Sequence, residues 1–213
     1  MARIVIIGGH GKVALQLARI LTDRGDRVSS VFRNPDHSDD VARSGAEPVV
    51  ADIETLDTDA LAKLVAGHDA VVFSAGAGGG NPARTYAVDR DAAIRVMDAA
   101  ARAEVGRFVM VSYFGVGPDH GVPEGDSFFP YAQAKAAADA HLRASGLDWT
   151  VLGPGRLTLE PATGRIALGK GKGEVSRGDV ALVVAAALAD DSTIGRTIDF
   201  NNGEVPIAEA LAS

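Results

Sequence analysis

Ile4 to Ile7 is a short apolar run that reaches Gly8-Gly9-His10-Gly11. It continues as Lys12-Val13-Ala14, with Leu17, Ile20 and Leu21 following at helical spacing. That order of patterns specifies a strand, a tight turn and a helix. Gly8, Gly11 and the small Ala14 stand in the spacing G-x-x-G-x-x-A, and the helical pattern stops at Gly25. Glycine accepts turn dihedrals closed to other residues and lets the backbone approach a bulky anion, to which the following helix offers its unpaired N–H groups. In this setting the pattern is the short form of the glycine-rich dinucleotide fingerprint, with Gly8, Gly9, His10, Gly11, Lys12 and Val13 as candidate diphosphate contacts. A turn made tight only for packing is the competing reading.

The same alternation continues along the chain. Strands are expected at Arg27 to Phe32, Val49 to Ala51, Ala70 to Phe73, Phe108 to Val111, Trp149 to Leu152 and Thr197 to Phe200. Between them lie helical stretches at 36–44, from Asp57 to Gly67, through Val88, Ala92, Val96 and Ala99, from Pro130 to Ser145, and from Asp179 to Leu188. A glycine run, Gly76 to Gly80, follows the fourth strand, and residues 153–177 read as irregular. The fully apolar fourth strand suits a parallel sheet covered on both faces. The fold expected is α/β, a single doubly wound parallel-sheet Rossmann domain over 1–213, with a small C-terminal substrate-side region at 153–177.

Charge and composition exclude several classes. With 213 residues, 21 basic against 28 acidic and a net charge of −7, the chain has no electrostatic footprint for nucleic acid. No cysteine is present, and the five histidines lack ligand spacing, so no metal site is expected. No apolar run approaches the roughly 20 residues of a membrane span, and no signal-peptide pattern opens the chain. The expectation is a cytoplasmic protein acting on a small molecule, with no nucleic-acid or membrane partner. Alanine-rich helical stretches at 92–103 and 132–140 allow a monomer or a weak homodimer.

In doubly wound sheets ligands bind outside the carboxyl ends of the strands. Arg33 ends the second strand, 25 residues after Gly8. A carboxylate there would suit the free ribose hydroxyl of NAD(H), whereas a guanidinium pairs with the 2′-phosphate of NADP(H). The expected cofactor is therefore NADP(H) ahead of NAD(H), with an ordinary surface charge as the alternative. After the third strand, Asp52 and Ile53 are placed to meet an adenine, and Asp52 is equally suited to cap a helix. Ser74, Ala75 and Gly76 at the fourth strand end would lie against ribose and phosphates.

Tyr131 and Lys135 stand four apart on one helical face. A neighbouring ammonium stabilises a phenolate and lowers its pKa, which would fit Tyr131 to give a proton to a carbonyl oxygen while hydride arrives from a nicotinamide. Lys135 could also hold the nicotinamide ribose. The competing reading is an exposed helix pair.

These motifs together, with Val88-Asp89-Arg90-Asp91, Val111-Ser112, Ser145 to Leu152 and Ser176-Arg177-x-Asp179-Val180-Ala181, resemble the atypical short-chain dehydrogenase/reductase superfamily. The similarity is to its short NAD(P)-binding branch, which includes NmrA-like and biliverdin-reductase-B-like proteins. It implies a Rossmann fold, bound NAD(P)H and a Ser, Tyr, Lys constellation, with Ser112 as substrate-polarising donor and Pro154 on the nicotinamide side. Two positions depart from that pattern: Tyr113 stands where relatives carry a second serine, and Gly153 where they carry an arginine before Pro-Gly. The expected function is an NADP(H)-dependent oxidoreductase of a small carbonyl or related electrophile. A non-catalytic NAD(P)H-binding redox sensor is the alternative, and a sugar-nucleotide epimerase or dehydratase is disfavoured by the short C-terminal region.

Overall fold

The computed structural model describes residues 1–78, 81–169 and 171–212. Its elements follow in order as β1 (Arg3–Ile7), α1 (Lys12–Asp23), β2 (Arg27–Phe32), α2 (Ser38–Arg43), β3 (Glu47–Val50), α3 (Thr58–Val65) and β4 (Ala70–Phe73). Then come α4 (Pro82–Thr85), a π-helical turn at Tyr86–Ala92, α5 (Ala93–Arg102), β5 (Arg107–Val111), α6 (Phe129–Ala144) and β6 (Asp148–Pro154). The C-terminal part holds β7 (Arg156–Thr158), β8 (Arg165–Leu168), β9 (Glu174–Ser176), α7 (Arg177–Ala189), β10 (Arg196–Asn202), β11 (Val205–Pro206) and α8 (Ile207–Leu211).

The main sheet runs β11-β8-β10-β6-β5-β4-β1-β2-β3. From β3 to β10 all pairings are parallel, and only β8 and β11 at the far edge are antiparallel. The order reverses between β1 and β4, which opens the ligand-binding crevice beside the turn after β1.

Side chains of β1 alternate between two cores, as the period of a strand requires. Ile4 and Ile6 join Leu17 and Leu21 of α1 and Val180 and Val184 of α7 on one face. Val5 and Ile7 join Leu61 of α3, Val96 of α5 and Leu142 of α6 on the other. Leu17 is fully buried, and truncating such a side chain to alanine costs about 2–5 kcal/mol.

The region read as irregular, 153–177, instead contains the end of β6 and three short strands. β7 pairs with β9 in a small parallel sheet, and β8 joins the main one between β10 and β11. These strands have only three or four residues, too few to establish a period, and Gly164, Gly169 and Gly171 break the chain between them with positive φ. The π-helical turn is likewise absent from the sequence pattern. Of the glycine run, Gly79 and Gly80 lie outside the described residues.

Candidate functional site

Gly8 and Gly9 both donate their N–H to the carbonyl of Val31, at 3.0 and 2.8 Å, and Gly11 N–H returns to the carbonyl of Gly8 at 2.9 Å. Gly8 has φ +88°, and a Cβ there would sit 2.5 Å from the backbone of Ala75. The turn is thus pressed against the end of β4, with no room for a side chain. Gly11 precedes α1, whose N-terminus has no side-chain cap and no acidic residue in its first turn. An open helix N-terminus behind a side-chain-free turn fits a diphosphate, because the unpaired N–H groups and the helix dipole both favour negative charge.

In front of this turn lies a cavity of about 370 Å³ across the ends of β1 to β4. Gly8, His10, Gly11, Arg33, Asp52 and Ile53 line it, as do Ser74, Ala75 and Gly76. Of the other sequence candidates, Gly9 packs against Ser30, Val13 is buried in the α1 core, and Lys12 is exposed at the helix start. Asp52 accepts from Glu54 N–H at 3.0 Å, a local turn contact. His10 stacks on His37 with ring centroids 3.6 Å apart, and its Nε2 lies 3.0 Å from Asp40 Oδ2. Glu54, His37 and Arg84 also line the cavity and were not singled out from the sequence. Arg84 lies on a four-residue helix beyond a glycine run, where no spacing rule marks it.

A second cavity, of about 630 Å³, adjoins the first and shares Gly76 with it. Tyr131 and Phe128 form part of its wall. Their rings are 5.2 Å apart, and the ring of Tyr113 lies 5.7 Å from Tyr131 and edge-on to Phe128 at 5.3 Å.

Lys135 is elsewhere. Its side chain is buried, and Nζ donates to the carbonyl of Val111 at 2.9 Å beside Met110 Sδ at 3.1 Å. Asp89 and Asp139 are buried with it, and each carboxylate acts on the ammonium. Tyr131, Lys135 and Asp139 follow at four-residue steps of α6, so Asp139 was legible as the third member of one helical stripe. Asp89 comes from the π-helical turn and accepts from Ala77 N–H at 3.0 Å, which ties the loop shared by both cavities to this cluster. π-Turns of this kind recur at functional sites.

Burial pushes the Lys135 ammonium below its ordinary value, against the pull of Asp139 and then Asp89. Burial likewise raises both carboxyls. Tyr131 moves the other way from expectation. Burial, with Asp89, Asp139 and Tyr113 adding, pushes its phenol well above the ordinary tyrosine range. The sequence-based picture of Lys135 lowering the Tyr131 pKa is therefore corrected: the ammonium is turned to Val111 and Met110, and burial, with the carboxylates adding, raises the phenol.

Ser112, expected as a substrate-polarising donor, is buried and gives its hydroxyl proton to Asp139 Oδ2 at 2.6 Å. Pro154 is buried too, and its carbonyl accepts from Phe114 N–H at 2.9 Å. The two departures have structural counterparts. Tyr113 brings its ring to the second cavity's aromatic cluster. At Gly153 a Cβ would meet Asp199 Oδ1 at 2.0 Å, so the neighbouring strand's carboxylate occupies the space a side chain there would need. Among the described residues no cluster could hold a metal ion, and no helix is long and apolar enough to cross a membrane.

A parallel sheet that reverses beside β1, with a glycine cradle at that point, defines a Rossmann dinucleotide-binding domain. The family model described as NAD(P)H-binding matches residues 8–191, and the chain belongs to that family. This agrees with its resemblance to atypical short-chain dehydrogenases/reductases. An uncharacterized sugar epimerase of Bacillus subtilis, YhfK, is 36% identical, with 98% of each chain covered. A solved structure from Bacillus halodurans, described provisionally as an NAD-dependent epimerase/dehydratase, superposes with a TM-score of 0.91 at 32% identity, covering 100% of this chain and 99% of that one. The oxidoreductase ylbE of Lactococcus lactis gives 0.88 at 31% identity, covering 99% and 95%.

Proposed function

We propose that this chain is an NADP(H)-dependent oxidoreductase that reduces a small carbonyl or a related electrophile. The observation that carries the reading is the shared wall at Gly76, which makes the phosphate cradle and the Tyr131 chamber neighbours along one strand-end crevice. The residues of the first cavity fit the dinucleotide: Gly8 and Gly11 with the α1 N-terminus would hold the diphosphate, Ile53 would cover the adenine, and Arg33 would pair with the 2′-phosphate. When bound, the reduced nicotinamide supplies hydride.

The protein's own part is to orient the acceptor, exclude water and supply a proton. Phe128, Pro130 and Tyr131 give the second cavity an apolar stretch of wall on which a small electrophile can lie, and the Tyr113 ring packs against Phe128 and Tyr131. Tyr131 holds its proton at Oη throughout the neutral range, because burial and two nearby carboxyls disfavour the phenolate. The phenol is thereby present as the proton-bearing form on which an alkoxide-like oxygen, a stronger base, would draw.

The test is oxidation of NADPH by a panel of carbonyls and quinones. The expected result is turnover with at least one acceptor, falling by about 100-fold in Tyr131→Phe while NADPH affinity is unchanged. NADPH binding without turnover across the panel, and no effect of the substitution, would favour the redox-sensor reading.

A further inference from the structure

Glu54, in the loop after β3, accepts from two arginines with one oxygen. Arg33 Nη1 donates at 2.9 Å, and Arg84 donates from Nε at 3.2 Å and from Nη2 at 3.1 Å. All three side chains line the first cavity. Glu54 is the least exposed of them, with 21% of its side chain accessible against 53% for Arg33 and 37% for Arg84.

The cluster is held from outside. Arg84 Nη1 donates to the carbonyl of Ala77 at 3.1 Å, which fixes its guanidinium at a second point. Arg95 of α5 donates to the carbonyls of Ile53, Glu54 and Leu56 at 3.0 to 3.2 Å, which pins the loop carrying the carboxylate. Asp52, the next carboxylate in the cavity, is engaged by Glu54 N–H.

Because Arg33 Nη1 and Arg84 Nη2 touch the same oxygen, they lie no farther apart than 2.9 Å plus 3.1 Å. Two oxygens of one phosphate, each accepting a charge-assisted hydrogen bond, span a gap of that size. The planar fork of arginine suits such a grip better than a lysine ammonium does. The cluster carries two positive charges and one negative, which leaves a net charge to attract an anion.

We infer that Arg84 is a second arm of the 2′-phosphate subsite, and that Glu54 is the internal anion which holds Arg33 and Arg84 in place until a phosphate joins them. The Arg33–Glu54–Arg84 cluster is thus the element that separates NADP(H) from NAD(H). The inference rests on the dinucleotide-binding reading and deepens it. Its consequence for Glu54 is directional: the carboxylate competes with the phosphate for the same donors, so Glu54→Gln, which keeps an acceptor oxygen without the charge, strengthens phosphate binding.

Titration calorimetry of the full chain with NADPH, NADH and 2′,5′-ADP tests this, with thermal unfolding of each variant as a control for folding. Arg84→Met is expected to weaken NADPH and 2′,5′-ADP by about tenfold or more and NADH by less than about threefold, with Arg84→Lys between it and the wild type. Glu54→Gln is expected to bind 2′,5′-ADP several-fold more tightly with little change for NADH. Equal weakening of NADPH and NADH in Arg84→Met would overturn the inference and assign Arg84 to the adenine or to the Ala77 loop. Unchanged 2′,5′-ADP binding in both variants would overturn it while leaving the dinucleotide reading intact. A wild-type chain that binds none of the three probes would remove that reading as well.

Discussion

The two ends of the crevice are built from different materials. The phosphate end is backbone: Gly8, Gly9 and Gly11 bonded to Val31 and to one another, with an uncapped helix N-terminus behind them. The end proposed for the reaction is side chain: two tyrosines and a phenylalanine stand in contact near a buried lysine and two buried carboxyls. A backbone site tolerates few residue types and so marks itself in the sequence. A side-chain site is specified by packing between α6, β5 and the π-helical turn, and its chemistry depends on which way each group points.

Substitutions at the two ends should therefore fail in different ways. The largest effect is expected at the backbone end. Gly8→Val places a side chain at φ +88° and against the Ala75 backbone, adding about 1–3 kcal/mol of conformational strain to a steric conflict that cannot be relieved by rotating a side chain. NADPH binding should be lost and the unfolding temperature lowered. Binding within threefold of the wild type would show that the turn is not the cradle.

Next in size is Lys135→Met. It leaves the Val111 carbonyl without its donor and removes the positive charge that acts on the buried Asp139 and Asp89, a change worth about 1–3 kcal/mol in urea unfolding at neutral pH. Both carboxyls have raised pKa values in the folded chain, so they take up protons as the pH falls, and the loss should shrink toward acid pH. A variant of unchanged stability but weakened NADPH binding would instead place Lys135 among the cofactor contacts.

The smallest effect concerns Tyr113. Burial, aided by Asp139, pushes its phenol up to about 12. Its folded pKa thus exceeds the unfolded value near 10, so the stabilisation is complete below about pH 10 and disappears as the pH rises through about 12. Ultraviolet titration should show tyrosinate from this residue only in that alkaline range. Tyr113→Phe should remove the alkaline component and change neutral stability by no more than about 1 kcal/mol, because among the described residues the buried hydroxyl has no hydrogen-bond partner. Ionisation of Tyr113 near neutrality would contradict the electrostatics drawn for the whole reaction end.

The same contrast explains what could be read from the chain. β1, β4 and β5 with their helices were legible because each strand carries a run of four apolar residues, which leaves little choice of structure. Arg33 was legible because the end of β2 is a fixed place in a doubly wound sheet. Arg84 was not, since nothing in Pro82–Thr85 signals that its side chain reaches back to Glu54, 30 residues earlier. The short strands β7 to β9 pair across long separations and leave no periodic trace. Tyr131 and Lys135 were found by their spacing, but spacing says only that they share a face. Where the lysine points is decided by Val111, Met110, Asp89 and Asp139, three of which come from other elements.

A crystal structure of the NADPH complex tests the central claim most directly. The account predicts the diphosphate on the Gly8–Gly11 turn at the N-terminus of α1, with the nicotinamide past Gly76 in the chamber walled by Tyr131 and Phe128. A dinucleotide bound away from that turn, or a nicotinamide remote from Tyr131, would contradict it.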